Sequence, residues 1–272
     1  MPVDPQLRTL DIEIPTQPEV LVKLSLLMAA EDVDLPAISA LVETDMALAA
    51  AVLKAVNSSL YGLQGRVQTV HQALTYLGMR EVAAITFEMG LRAAFPPAAE
   101  LEPVWGRASQ RGLLMGRMGQ MLGVDPWAAH SAGLFEECGK AVLYRHASAH
   151  YPAMLRAATK DAELVQLEHT AFGVSHDALG AALCESWGLA PAAVASVRHH
   201  VQIQDTLLIP DTVQRRSICA ISVMAWSLMS APEELEEIAR VIAPQAQLDE
   251  TLVLRAARRV SEQLQEAQSR GR

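Results

Sequence analysis

The chain has 272 residues, of which 51% are hydrophobic but only 4% aromatic, and it carries a formal net charge of −9. This composition favours close-packed helices over sheets, because strands prefer β-branched and aromatic residues. An acidic chain with no extended basic stripe is poorly suited to hold phosphate backbones, so nucleic acid is excluded as an expected partner. The three cysteines lie far apart without CxxC spacing, which is typical of reduced thiols and not of a zinc ribbon.

The N-terminal stretch MPVDPQLRTL lacks the basic-then-apolar order of a signal peptide. No apolar run approaches the length that a bilayer requires. We therefore expect a cytoplasmic protein with no membrane partner.

Helix start signals recur through the first half of the chain. Thr16–Glu19 reads as a capping box, and Thr69–Gln72 as a second one. Asp45 can cap the helix MALAAAVLKAV that follows it. Each signal is followed by apolar residues at helical spacing, so the first half is predicted to be helical throughout.

The segment Pro96–Pro103 is the least helical part of the first half, and it is the best candidate boundary. Beyond it, Asp125 followed by Pro126 marks one helix start, and Ser175 is expected to cap another. We find no credible strand pair and no repeat of fixed period. The prediction is an all-α fold of two packed helical lobes, residues 1–97 and 98–272.

Several kinds of catalytic site are absent from the sequence. There is no GxxxxGK[ST] or GxGxxG phosphate cradle, no GxSxG elbow, and no cysteine with an obvious histidine partner. What remains is a set of polar residues spread through the second lobe. They are Arg107, Glu136, Glu137, His176, His199 and His200.

The order of motifs along the chain resembles that of HDOD domains, which are bacterial regulatory modules related to the HD-GYP phosphodiesterases. The resemblance covers roughly residues 14 to 230. The matching segments are DMAL from Asp45, NSSLYG (Asn57–Gly62), ALTYLG (Ala73–Gly78), AGLFEECGKAVL (Ala132–Leu143) and the stretch from Phe172 to His200.

The resemblance implies an incomplete metal site. Active HD phosphohydrolases hold metals with a histidine, a His-Asp pair, further histidines and a late aspartate. The corresponding positions here are Arg107, Glu136 with Glu137, His176, His199 or His200, and a position near Trp226. Since a guanidinium and an indole cannot ligate a metal, the second lobe resembles a degenerate HD core, with no catalytic residue and no cofactor expected.

For Glu136 and Glu137, two arrangements stay open. Consecutive helical residues point about 100° apart, so one glutamate is expected to face solvent while the other pairs with a nearby Arg or Lys. Arg107 is the favoured partner. The alternative is a Mg²⁺ or Mn²⁺ site made by both glutamates and His176.

The histidines and tryptophans have plainer expected roles. His176 and Asp177 form a literal His-Asp pair, but they open a helix behind Ser175 and are not expected to bind metal. His199 and His200 are expected to end a helix, one capping carbonyls and the other facing water. Trp226 is expected to anchor the core.

The sequence therefore predicts a non-catalytic bacterial signalling module. The six polar residues would line a cleft for a signalling protein or a nucleotide second messenger. The alternative is a metal-dependent phosphohydrolase with an altered ligand set. An RNA-associated role is weaker, since the acidic charge opposes it.

Overall fold

A computed structural model describes residues 12–29, 35–63 and 65–270, and within these ranges the chain is helical with no strand, as predicted. Two 3₁₀ turns at Ala99–Leu101 and Pro232–Glu234 supplement the α-helices. The α-helices are α1 (Glu19–Ala29), α2 (Leu35–Glu43), α3 (Met46–Val56), α4 (Val70–Leu77), α5 (Met79–Ala93), α6 (Glu102–Leu122), α7 (Pro126–His146), α8 (Tyr151–Ala157), α9 (Asp161–Phe172), α10 (His176–Ser186), α11 (Pro191–Thr206), α12 (Ser217–Ser230), α13 (Leu235–Gln245) and α14 (Glu250–Arg270).

The described residues fall into two compact units. The smaller unit contains Thr16–Ala94 and the described residues from Ser261 onward. The larger unit contains Phe95–Val260 and the described residues up to Pro15. The domain division 1–97 and 98–272 stays a prediction, and the compact units differ from it in grouping the end of α14 with α1–α5.

The helix starts of the smaller unit are set by short polar side chains. Asp45 accepts hydrogen bonds from the backbone N–H groups of Ala47 and Leu48, and Thr69 accepts one from Gln72, so both predicted caps are confirmed. The capping box at Thr16 is wrong, because α1 begins only at Glu19.

A single asparagine fixes the connection between α3 and α4. The side-chain amide of Asn57 donates to the carbonyls of Leu53 and Val67, at 2.9 and 2.7 Å. The N–H of Val67 donates back to the Asn57 side-chain oxygen. Asn57 therefore has the structural role that the sequence predicted for it.

Helix α7 is the centre of the larger unit. Asp125 caps it by accepting from the N–H groups of Trp127 and Ala128, as predicted. Every residue from Ala128 to Leu143 is buried, and α6, α10, α11 and α12 all pack against the helix. A helix covered on all sides is normally apolar all round, yet α7 contains two glutamates and a lysine.

Glycines allow neighbouring helices to approach the α7 backbone very closely. A Cβ placed on Gly139 would lie 1.8 Å from the carbonyl oxygen of His176 on α10. A Cβ on Gly133 would lie 2.8 Å from the backbone of Arg111 on α6. These contacts are between backbones, which cannot move aside as a flexible side chain can.

No single helix in the described ranges is both long enough and apolar enough to cross a bilayer. The helices α2 and α3 meet that criterion only jointly, and they meet at a bend of 116°. Ile38 and Val42 of α2, and Val52 and Val56 of α3, are buried in the core of the smaller unit.

Two Gly→Ala substitutions should distinguish the effect of close helix packing on stability from the effect of helix propensity. Gly139→Ala should lower the free energy of unfolding by at least about 3 kcal/mol, because α7 and α10 must separate. Gly106→Ala, on the exposed side of α6 with no atom within 4 Å of its Cβ position, should raise it by roughly 0.5–1 kcal/mol. Urea unfolding checks both, and equal effects would contradict the close approach.

Candidate functional site

Arg107 and Glu137 meet, as the sequence predicted for Arg107 and one of the two glutamates. The Nε and Nη2 atoms of Arg107 each lie 3.2 Å from Oε2 of Glu137. The Arg107 side chain is 43% exposed, whereas that of Glu137 is 1% exposed. Arg107 therefore reaches from the surface of α6 to a buried carboxylate.

Glu136 is paired with a different arginine. Nη1 of Arg111 lies 2.5 Å from Oε2 of Glu136, and the hydroxyl of Ser196 donates to Oε1 at 3.0 Å. Arg111 follows Arg107 by about one helical turn and so lies on the same face of α6. The expectation that one glutamate faces solvent is wrong, because α7 is covered on every side and both carboxylates are buried.

Lys140 provides the third cation. Its Nζ atom lies 3.0 Å from Oε2 of Glu137 and 2.8 Å from Oδ1 of Asp161, at the first position of α9. Lys140 is buried, whereas the Asp161 side chain is 26% exposed. We call the resulting set the charge cluster. It contains three cations and three carboxylates: Arg107, Arg111, Lys140, Glu136, Glu137 and Asp161.

The pairing keeps these buried groups charged. Burial by itself would raise the pKa of Glu137, but Lys140 and Arg107 outweigh it and lower that pKa to about 2. Burial would lower the pKa of Lys140, and the carboxylates of Glu137 and Asp161 outweigh this and raise it. The pKa of Asp161 is held well below its usual range, chiefly because Lys140 outweighs burial.

Beside the charge cluster, His176 is held by a buried carboxylate. Its Nδ1 lies 2.8 and 3.0 Å from the two carboxylate oxygens of Glu168, and its backbone N–H donates to the same group. The Tyr151 hydroxyl also donates to Glu168, at 2.5 Å. Burial would lower the pKa of His176, but Glu168 outweighs burial and raises it.

His200 faces His176, with ring centroids 5.5 Å apart. Its Nδ1 lies 2.7 Å from the carbonyl oxygen of Val197. Because a carbonyl can only accept, this nitrogen must carry the proton. Burial lowers the pKa of His200, which favours the neutral ring.

The expected end of a helix at His199 and His200 is wrong, because α11 continues to Thr206. His200 is buried inside the helix, and His199 is half-buried and contributes no group to the charge cluster. Trp226 is only half-buried on α12, less than expected of a core anchor.

The predicted helix cap at Ser175 does not make the side-chain hydrogen bond of an N-cap. Ser175 occupies the N-cap position of α10, but its hydroxyl donates to the carboxylate of Asp177 and accepts no bond from the helix. The N–H of His176, the first residue of the helix, donates to Glu168. Asp177 in turn accepts from the N–H of Ala178.

A metal ion held by Glu136 and Glu137 does not fit this arrangement. Their oxygens already accept from Arg111, Arg107 and Lys140, and a divalent cation there would be repelled by all three. The described residues do contain another set of metal-type donors. Asp161, His176 and His200 each offer one ligand atom within 4.8 Å of the others.

Four residues of this region were missed in the sequence: Arg111, Lys140, Asp161 and Glu168. Arg111 could have been found from its spacing to Arg107, and Lys140 from its spacing to Glu137. Asp161 and Glu168 lie on α9 among polar, largely exposed neighbours, and only the tertiary structure brings them to the site.

Comparison with known proteins identifies a family for this arrangement of helices. Residues 14–203 match the family model of the HDOD domain. An uncharacterized protein of Treponema pallidum (strain Nichols) is 26% identical over 196 residues. That alignment covers 69% of this chain but only 37% of the relative, so the chain spans well under half of the relative's length.

Two crystal structures share the fold. A protein of Shewanella amazonensis SB2B, provisionally named a phosphohydrolase, superposes with a TM-score of 0.71 at 18% identity, over 98% of each chain. A protein of Marinobacter aquaeolei VT8, provisionally named a signal transduction protein, has a TM-score of 0.73 at 20% identity, over 98% of this chain and 65% of that one. Identities this low establish the fold alone.

Removing the buried arginine should be far more damaging than removing the exposed one. Arg111→Met leaves Glu136 without its cation and should cost about 3–5 kcal/mol of unfolding free energy. Arg107→Met, the matched control, should cost at most about 1 kcal/mol because its side chain is partly solvated. Urea unfolding measures both.

The double variant Arg111→Met/Glu136→Leu should recover much of the stability that Arg111→Met loses, because no unpaired charge remains at Glu136. Equal losses in the two single arginine variants, or no recovery in the double variant, would contradict a buried ion pair.

Stability should fall in acid partly through Glu137. Its pKa is about 2 when folded, against an ordinary value of 4.5, so its contribution is complete above about pH 5 and is lost as the pH falls from 4.5 toward 2. Between about pH 6 and pH 3, the wild type should lose on the order of 2 kcal/mol more unfolding free energy than Glu137→Gln. Parallel pH profiles from urea unfolding would contradict this.

Proposed function

The chain belongs to the HDOD domain family, and on that premise we propose that it is a regulatory module of bacterial signal transduction that acts by binding and catalyses no reaction. The observation that carries the proposal is the charge cluster. Arg107, Arg111 and Lys140 neutralise Glu136 and Glu137, the carboxylates at the positions that resemble the His-Asp pair of HD phosphohydrolases.

Arg111 is a permanent cation beside Glu136, in the place where a metal ion would otherwise balance the carboxylate. A guanidinium stays protonated at any physiological pH, so Arg111 cannot leave Glu136 by losing its proton. Its Nη1 contact at 2.5 Å is charge-assisted and buried. The carboxylates of α7 are therefore engaged by cations of the chain itself, and would have to give up these contacts to ligate a metal.

The comparisons support a regulatory role more than they support a particular partner. The Marinobacter neighbour is named for signal transduction, and the Treponema relative is much longer than this chain. We propose a signalling protein or a nucleotide second messenger as the partner, and the cytoplasm as the compartment. The buried free thiols of Cys138, Cys184 and Cys219 are compatible with a reducing compartment.

A metal-dependent phosphohydrolase with an altered ligand set is the second candidate. The provisional name of the Shewanella neighbour and the convergence of Asp161, His176 and His200 favour it. Such an enzyme would need these three side chains for activity.

Hydrolysis assays separate the two candidates. The purified chain, supplied with Mn²⁺, Fe²⁺ or Zn²⁺, should show no turnover of bis(p-nitrophenyl) phosphate or of cyclic dinucleotides above a buffer blank. Titration calorimetry with the same cyclic dinucleotides tests for binding without turnover, and chemical cross-linking to co-expressed signalling proteins tests the protein partner.

Hydrolysis that is lost in His200→Gln would overturn the regulatory proposal, provided that circular dichroism shows the variant folded. Hydrolysis that persists in His200→Gln would point to a contaminating enzyme.

A further inference from the structure

Nε2 of His176 and Nε2 of His200 have no hydrogen-bond partner among the residues that the structure describes. Both side chains are at most 1% exposed. Buried polar atoms are nearly always satisfied, and an unmet one points to a water, an ion or a ligand. The two rings face each other, with centroids 5.5 Å apart.

The other nitrogen of each ring is already committed. Nδ1 of His176 faces the carboxylate of Glu168, and Nδ1 of His200 donates to the Val197 carbonyl. In the neutral rings these bonds place the proton on Nδ1 and the lone pair on Nε2. Carboxylate and carbonyl partners of this kind are what orient metal-binding histidines in proteins.

Asp161 adds an oxygen donor at the same place. One ligand atom from each of Asp161, His176 and His200 lies within 4.8 Å of the other two. Lys140 occupies Oδ1 of Asp161 and leaves the second oxygen, Oδ2, for another contact. The Asp161 side chain is 26% exposed, so an ion can reach the site from solvent.

We propose that Asp161, His176 and His200 bind a single divalent transition-metal ion, such as Zn²⁺ or Fe²⁺. Two imidazoles and one carboxylate suit these ions, and they leave coordination positions open for water or a ligand. Mg²⁺ prefers an all-oxygen site and is selected against. The site goes beyond the proposed regulatory role, because binding of the ion is independent of any partner.

The site is distinct from the glutamates of α7. Glu136 and Glu137 face Arg111, Arg107 and Lys140, whereas the two Nε2 atoms face no cation within hydrogen-bond distance in the described residues. The charge of Lys140 opposes an ion on Asp161, and the negative charges of Asp161 and Glu168 favour it. Asp161 belongs to both sets, and since Lys140 contacts its Oδ1, an ion on Oδ2 leaves the contacts of the charge cluster in place.

The test uses the untagged full chain, stripped with a chelator and dialysed. Titration calorimetry with Zn²⁺ should give one ion per chain, and Co²⁺ should give visible ligand-field absorption. Zn²⁺ at one hundred times its Kd should raise Tm by roughly 5 °C. Mg²⁺ at the same concentration should leave Tm unchanged.

Three variants assign the ligands. Asp161→Asn and His200→Gln should each weaken Zn²⁺ binding by more than about tenfold, since each removes a ligand. His199→Gln, which changes the neighbouring half-buried histidine, should bind as the wild type does. Circular dichroism confirms that each variant is folded, and His200→Gln serves if Asp161→Asn is not.

The proposal fails if the stripped chain takes up no stoichiometric Zn²⁺ or Co²⁺. It also fails if folded Asp161→Asn and His200→Gln bind as tightly as His199→Gln, because the ion would then be held elsewhere on the surface.

Discussion

The larger unit depends on one constraint: α7 is buried along its length and yet carries Glu136, Glu137 and Lys140 within about one helical turn. Isolated charges in such a place would cost many kcal/mol, so each must have a partner of opposite sign. The partners come from different helices, Arg107 and Arg111 from α6 and Asp161 from α9. The need to pair these charges therefore determines which helices pack around α7 and how each is rotated about its own axis. Apolar residues of similar volume could fill the same core without loss of stability. The buried charges are therefore better explained by function or ancestry than by stability.

Lys140 lies between two groups of polar side chains, the paired glutamates of α7 and the proposed ion site on Asp161. On one side, it helps to satisfy Glu137 in a set where the cations already match the carboxylates. On the other, it binds Asp161, whose neighbours are two imidazoles with unpartnered nitrogens. A divalent cation at Glu136 or Glu137 would be repelled by Arg107, Arg111 and Lys140, whereas at the proposed site Asp161 would share it with two imidazoles.

The fold was predictable from the sequence because it rests on local signals. Asp45, Thr69 and Asp125 each cap a helix through bonds within their own few residues. The prediction failed where another side chain competes for the same atoms. The Ala178 N–H that a Ser175 cap could have used is taken by Asp177, and the second glutamate, Glu136, is reached by Arg111, which was missed in the sequence. Solvent exposure of one glutamate was inferred from helix geometry alone, which cannot show that α7 is covered on every side.

The close approach at Gly139 has a mechanical consequence. With no side chain between them, the backbone of α7 lies directly against the His176 carbonyl, so there is no compressible layer at this contact. The first residue of α10 therefore cannot move toward α7, and a displacement of His176 is transmitted to the backbone segment between Glu137 and Lys140. Any event that pushes the His176 backbone toward α7 is thereby felt as strain in the turn that carries Glu137 and Lys140.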